Sequence, residues 1–172
     1  MNALHPPLSV IPAMPAMPTA PDDLMEDAGI TPAHTGLDGV SWNILGQVYV
    51  PKQVSDDSFC WHATFPEETF VPPHLHVDQD EYIYVLEGRI DLILDGQERS
   101  AGPGDLVRMP RAIPHAFFNN SGKVAKALFW AAPTGDLLAL YRRIHNLASP
   151  AEVARVAAEH GVHFMPPVSS AA

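Results

Sequence analysis

Residues 74–88 read HLHVDQDEYIYVLEG, and the way this stretch folds decides the class of the protein. On a strand, residues two apart point to the same face with Cα atoms roughly 6.5–7 Å apart, so His74 and His76 can hold one ion between two imidazoles. Alone the pair says little. Nine histidines in 172 residues give roughly half a His-x-His per chain by chance. Glu81 stands at an odd offset from His76, which on an unbroken strand would aim it at the opposite face. The polar run Val77-Asp78-Gln79-Asp80 therefore reads as a turn that returns the chain antiparallel, with Glu81 entering the next strand beside the two histidines. Along that strand Glu81, Ile83 and Val85 share one face, and Tyr82, Tyr84 and Leu86 the other. A carboxylate heading an apolar inward row is costly to bury without a cation, hydrogen bonds or a proton. A solvated glutamate at a strand start, beside Asp78 and Asp80, is the plainer alternative at this point.

Outward from this stretch, residues 40–130 show short β-branched and aromatic runs separated by Gly, Pro, Asp and Asn, without a helical period. The clearest strand pair is 81–86 followed by 89–94. Asp95-Gly96 then suits a tight type I′ hairpin into 97–100. Asn119-Asn120-Ser121-Gly122 marks a turn between 115–118 and 124–131. Earlier candidate strands are 41–45, 47–50, 58–65 and 69–76. Eight to ten short strands so spaced predict an all-β sandwich or barrel closed from two sheets. Beyond it the period changes. Residues 136–145 carry Leu137, Leu138, Leu140, Tyr141 and Ile144 at helical spacing. Ser149-Pro150-Ala151-Glu152 is a capping box with proline at the first helical position, and Gly161 stands where a left-handed cap belongs. These short helices are expected to cover a sheet edge or face.

Six prolines in the first 21 residues, followed by Asp22, Asp23, Glu26 and Asp27, exclude a helix or central strand there. They predict a Pro-rich arm, draped on the surface or crossing to a second subunit through Leu8, Val10 and Ile11. The segment has no basic n-region and its apolar residues are broken by proline, so it reads as neither a signal peptide nor a spanning helix. The resulting division is residues 1–39 as arm, 40–132 as barrel, and 133–172 as helical segment and tail. Twenty acidic against ten basic residues give a formal charge of -10, which argues against nucleic acid or a membrane surface as partner. The single cysteine, Cys60, can form no internal disulfide and supplies no thiolate cluster, so a cytoplasmic location is expected.

A third histidine completes the site. Gly102-Pro103-Gly104-Asp105 turns the chain into 106–109, and Pro110 and Pro114 stiffen the loop that delivers His115 into a hydrophobic row with Phe117. Three imidazoles and one carboxylate suit a single Fe, Mn, Ni, Co, Cu or Zn ion, with one or two positions left for water or substrate.

With these residues in view, the sequence resembles the cupin superfamily. His74, His76, Glu81 and Gly88 match its first motif, with Thr69 near the place of the leading glycine. Gly104, Pro110, His115 and Asn119 match its second, with Ala112 replacing the inner glycine. The resemblance implies a double-stranded β-helix, or jelly-roll barrel, in which His74, His76, Glu81 and His115 are the metal ligands. The sequence looks like the small single-domain members related to quercetin dioxygenase. That implies a dioxygenase acting on a small enolic, diketone, phenolic or flavonol substrate, with Glu81 as ligand or general base. Phe65, Phe70, Ile83, Val85, Met109, Phe117 and Trp130 are the expected pocket lining. Non-oxidative metal catalysis, as in an isomerase, lyase or hydrolase, and a non-enzymatic metal or small-molecule binding module are the alternatives. The outward row Tyr82, Tyr84 and Leu86 needs covering, so a homodimer is expected.

Overall fold

The computed structural model describes residues 28–165. The first 27 positions, which include most of the expected arm with Leu8, Val10 and Ile11, and the tail from Pro166 lie outside the described residues. The last part of the expected arm lies against the barrel. Leu37 is buried in the core, and the Lys52 ammonium donates to the carbonyl oxygens of Pro32, Ala33 and Thr35.

Eleven strands and two helices follow among the described residues. They are β1 (Trp42–Ile44), β2 (Gln47–Val54), β3 (Phe59–Phe65), β4 (Phe70–His76), β5 (Asp80–Glu87), β6 (Ile90–Leu94), β7 (Gln97–Ala101), β8 (Leu106–Met109), β9 (His115–Phe118), β10 (Ala125–Ala132), α1 (Leu137–Ile144), α2 (Pro150–Glu159) and β11 (Val162–Phe164). Two antiparallel sheets form, with orders β1-β2-β3-β10-β5-β8 and β11-β4-β9-β6-β7. This is a jelly-roll β architecture, as the all-β reading expects.

Strict alternation builds the core. Phe59, Trp61, Ala63 and Phe65 of β3 point inward, as do Ala125, Ala127, Phe129 and Ala131 of β10. At the ends of the pair small faces large, Ala125 opposite Phe65 and Ala131 opposite Phe59, while between them Trp61 stacks on Phe129 at 5.4 Å and Ala63 sits opposite Ala127. At Asp95-Gly96 both residues have positive φ, as the hairpin from β6 into β7 requires.

Two expected pairings are corrected. β4 and β5 lie in different sheets, and so do β5 and β6. Residues 77–79 therefore carry the chain across the barrel, and Glu81 faces the histidines from the opposite sheet instead of lying beside them. At Gly88, where φ is +77°, the chain crosses back. A Cβ there would come within 2.8 Å of the Val124 carbonyl oxygen, so only glycine fits this crossing.

The C-terminal segment packs as a roof at one end of the barrel. The Ser149 side chain accepts from the Glu152 backbone N–H at 3.3 Å, Pro150 opens α2, and Gly161 has φ +76°. β11, which the sequence pattern does not reveal, then pairs with β4 through Val162 opposite His76 and Phe164 opposite His74. No helix among the described residues is long and apolar enough to cross a membrane.

Candidate metal centre

His74 and His115 are direct cross-strand partners on β4 and β9, and His76 follows His74 two residues along the same face. The ring centres of His74 and His115 lie 4.4 Å apart, and those of His76 and His115 5.5 Å. Glu81 enters from the opposing sheet with its Oε2 at 3.1 Å from His115 Nε2 and 3.4 Å from His76 Nε2. All four residues are buried, and one ligand atom from each lies within 4.8 Å of the others.

The outer nitrogens of the rings explain how the inner ones are aimed. His74 Nδ1 meets the Pro72 carbonyl oxygen at 2.8 Å, and His115 Nδ1 meets that of Ile113 at 3.0 Å. His76 Nδ1 meets Gln79 Oε1 at 3.3 Å. These oxygens only accept, so each Nδ1 carries a proton and each Nε2 faces the common centre. The Pro72 carbonyl is placed by an irregularity in the β4–β9 register between Val71 and His74, where Pro72 and Pro73 have no N–H for the ladder. The Pro110–Pro114 loop is pinned to β4 by the Ala112 N–H, which donates to the His76 carbonyl oxygen at 2.8 Å.

Burial, reinforced by the neighbouring imidazoles, pushes the His74 pKa down to about 3, so this ring is neutral at ordinary pH. Burial also acts against charge on His76 and Glu81, but their mutual attraction and hydrogen bonds outweigh it. The His76 pKa is raised, and the Glu81 carboxyl is held well below the usual carboxylate range. An anionic carboxylate with three Nε2 atoms around it is a fitting donor set for a divalent transition ion.

Beside the centre lies an apolar cavity of about 80 Å³, space for several waters or part of a small ligand. His74, His76 and Glu81 line it, with Tyr49, Trp61, Phe117 and Phe129 from the barrel and Leu137, Tyr141 and Ile144 from the roof. Tyr49 donates to Gln47 Oε1 at 2.7 Å, and Gln47 Nε2 donates to the Phe70 carbonyl oxygen. Burial, and after it the charge of Glu81, raises the Tyr49 pKa far enough to keep its hydroxyl protonated.

Of the expected lining, Phe70 and Phe117 reach this cavity. Phe65, Ile83, Val85 and Met109 are buried in the core but do not line it. Trp130 is corrected outright: it sits opposite Tyr82 and stacks on it at 5.2 Å on the outer row of β5, while Phe129, opposite Ile83, points inward. Tyr49 and the roof residues were missed. The inward parity of Gln47 and Tyr49 on one strand was the available signal for the first. Nothing local announces the second. The remaining histidines within the described residues stand apart from the centre. His145 Nδ1 accepts from the Asn43 N–H, and His160 contacts Asp136 and Arg143.

The family model described as the cupin domain matches residues 61–131. Quercetin 2,3-dioxygenase of Bacillus subtilis is 32% identical over 81 residues, which is 47% of this chain and 23% of that protein. Oxidoreductase iacF of Pestalotiopsis fici is 34% identical over 68 residues, which is 38% of this chain and 33% of that protein. The matches thus span a third or less of these curated relatives. The solved RmlC-like cupin from Shewanella frigidimarina superposes with TM-score 0.57 at 14% identity, covering 65% of this chain and 96% of that one, a likeness of fold alone.

Proposed function

From a chain that belongs to the cupin superfamily, we propose a metal-dependent dioxygenase acting on a small substrate with an enol, diketone or phenol group, flavonols included. The observation that carries the reading is the convergence of His74, His76, Glu81 and His115, the first three of which line an apolar cavity. The resemblance to a quercetin dioxygenase and to a second oxidoreductase supports the oxidative choice.

A divalent ion held by these residues supplies Lewis acidity toward an anionic substrate oxygen. The chain's own residues do the rest. His74, His76 and His115 would present their Nε2 atoms to the ion. Glu81 would anchor the ion through its carboxylate, in place of the contacts its Oε2 makes with His76 and His115. Oε2 would also be the atom placed to accept the substrate hydroxyl proton. Tyr49 stays protonated and donates to Gln47 Oε1 at the cavity wall. Phe117, Phe129 and Tyr141 exclude water from the substrate's apolar body. The barrel, residues 40–132, is the unit that holds the ion, and within the segment 133–172 it is the described part, α1, α2 and β11, that closes over it. The lone cysteine fits a reducing compartment, the cytoplasm.

Tyr84 and Leu106, cross-strand partners on an outer face, are exposed together with Leu86. This row supports a homodimer, for which sedimentation should give twice the chain mass.

The test is metal analysis of the purified protein with an oxygen-uptake screen against flavonols, diketones and phenolic acids. Uptake that disappears in a folded His76→Ala variant supports the reading. Turnover of the same substrates without oxygen makes the protein an isomerase, lyase or hydrolase instead, and no turnover with any metal leaves a binding module.

A further inference from the structure

Gln79 lies in the link between β4 and β5 and is buried. Its side-chain nitrogen donates to the carbonyl oxygens of Pro133, at 3.1 Å, and Thr134. Two acceptors on one side fix the amide's orientation, because only its NH₂ end can donate. Oε1 is therefore the atom left facing His76 Nδ1, and it makes Nδ1 the protonated nitrogen and Nε2 the free one. His74 and His115 are oriented by backbone carbonyls two residues before them. Within the centre His76 alone depends on a side chain, and that side chain is tied to a segment 54 and 55 residues away. The tie is close-fitting: Gly135 has φ +49°, and a Cβ there would come within 3.1 Å of Gln79 Nε2. Residues 133–135 lead directly into the roof that walls the cavity with Leu137, Tyr141, Val153 and Phe164.

We propose that Gln79 is a positioning residue that couples the ion-binding orientation of His76 to the seating of the C-terminal roof, a role that rests on the metal-centre reading above. An ion that holds His76 through Nε2 holds Gln79 and with it residues 133–135. A roof that lifts frees the ring. Coupling of this kind is reciprocal, so ion binding protects the roof as much as the seated roof favours the ion.

The test uses the whole chain, Co²⁺ as probe, and hydrogen exchange of residues 137–164. Gln79→Met keeps the length and loses both contacts. It should weaken Co²⁺ binding about 10–100-fold and speed exchange of α1 and α2 in the metal-free protein. Gln79→Glu keeps an acceptor for His76 but sets a carboxylate against two carbonyls. It should bind Co²⁺ more weakly than the wild type but more tightly than Gln79→Met, because the acceptor remains while its anchor is lost, and its roof should exchange as fast as in Gln79→Met. Undiminished Co²⁺ affinity in Gln79→Met, or roof exchange unchanged in both variants, overturns the coupling. A wild-type chain that binds no Co²⁺ at all refutes the metal centre itself and the coupling with it, a result distinct from any defect confined to the variants.

Discussion

Ala112 holds φ at +60° in the loop that is pinned to β4 beside the candidate metal centre. A left-handed backbone is costly for a residue with a Cβ and nearly free for glycine. Ala112→Gly should therefore raise stability by about 0.5–1 kcal/mol, read as a higher urea midpoint with an unchanged slope. A lower midpoint would show that the loop is held by other means. Cys60, half-buried on the outward side of β3, has its thiol pushed up to about 11 by burial, against a smaller opposing pull from Lys52. At pH 8 its thiolate fraction should be about 100-fold below that of an unshifted thiol. Iodoacetamide labelling of the native chain should be correspondingly slow and accelerate toward pH 11, whereas labelling at the rate of a free thiol would refute this. At this scale the inward row of Glu81, Ile83 and Val85 was legible from alternation alone. The parity of Trp130 was not, because Phe129 beside it is equally apolar and only the register with β5 decides which ring turns in.

Asn119 shows what the second motif does for the strands. Its Nδ2 donates to the carbonyl oxygens of Phe65, Pro66 and Lys123, and its Oδ1 accepts from the Ser121 N–H and hydroxyl. It thus clamps the ends of β3 and β9 to the turn before β10, remote from any role as ligand. Asn119→Ala strips buried carbonyls of their donor, and a loss of about 2–4 kcal/mol in equilibrium unfolding is expected. A loss below about 0.5 kcal/mol, the size of an ordinary surface change, would contradict the clamp. Strand positions were largely legible, because β-branched runs and turn residues are local signals. Strand pairing was less so. The links at residues 77–79 and at Gly88 are as short as hairpins, yet each crosses between sheets. Three-residue β11 carries too little pattern to declare itself and gains its place from β4 and α2.

For the molecule as a whole, the two ends of the chain differ in what their sequence discloses. The helices of the C-terminal segment are marked by a capping box and an apolar stripe, but those signals do not say which surface the stripe meets. The structure seats it over the open end of the barrel, so that a cavity beside the histidines is walled partly by residues far along the chain. The four clustered residues were legible as candidates because their spacing is carried by two compact motifs. Closure of the cluster required the fold, since Glu81 reaches the histidines only from the opposite sheet. The central claim is that one buried point binds one ion through these side chains. It is tested most directly by titrating the metal-stripped protein with Co²⁺, alongside His74→Ala, His76→Ala, Glu81→Gln and His115→Ala variants verified as folded. The account predicts one ion per chain in the wild type and an affinity at least about 100-fold weaker in each variant, beyond the effect of losing an outer hydrogen-bond partner. Variants that bind as the wild type does, or an ion retained elsewhere on the chain, would contradict it.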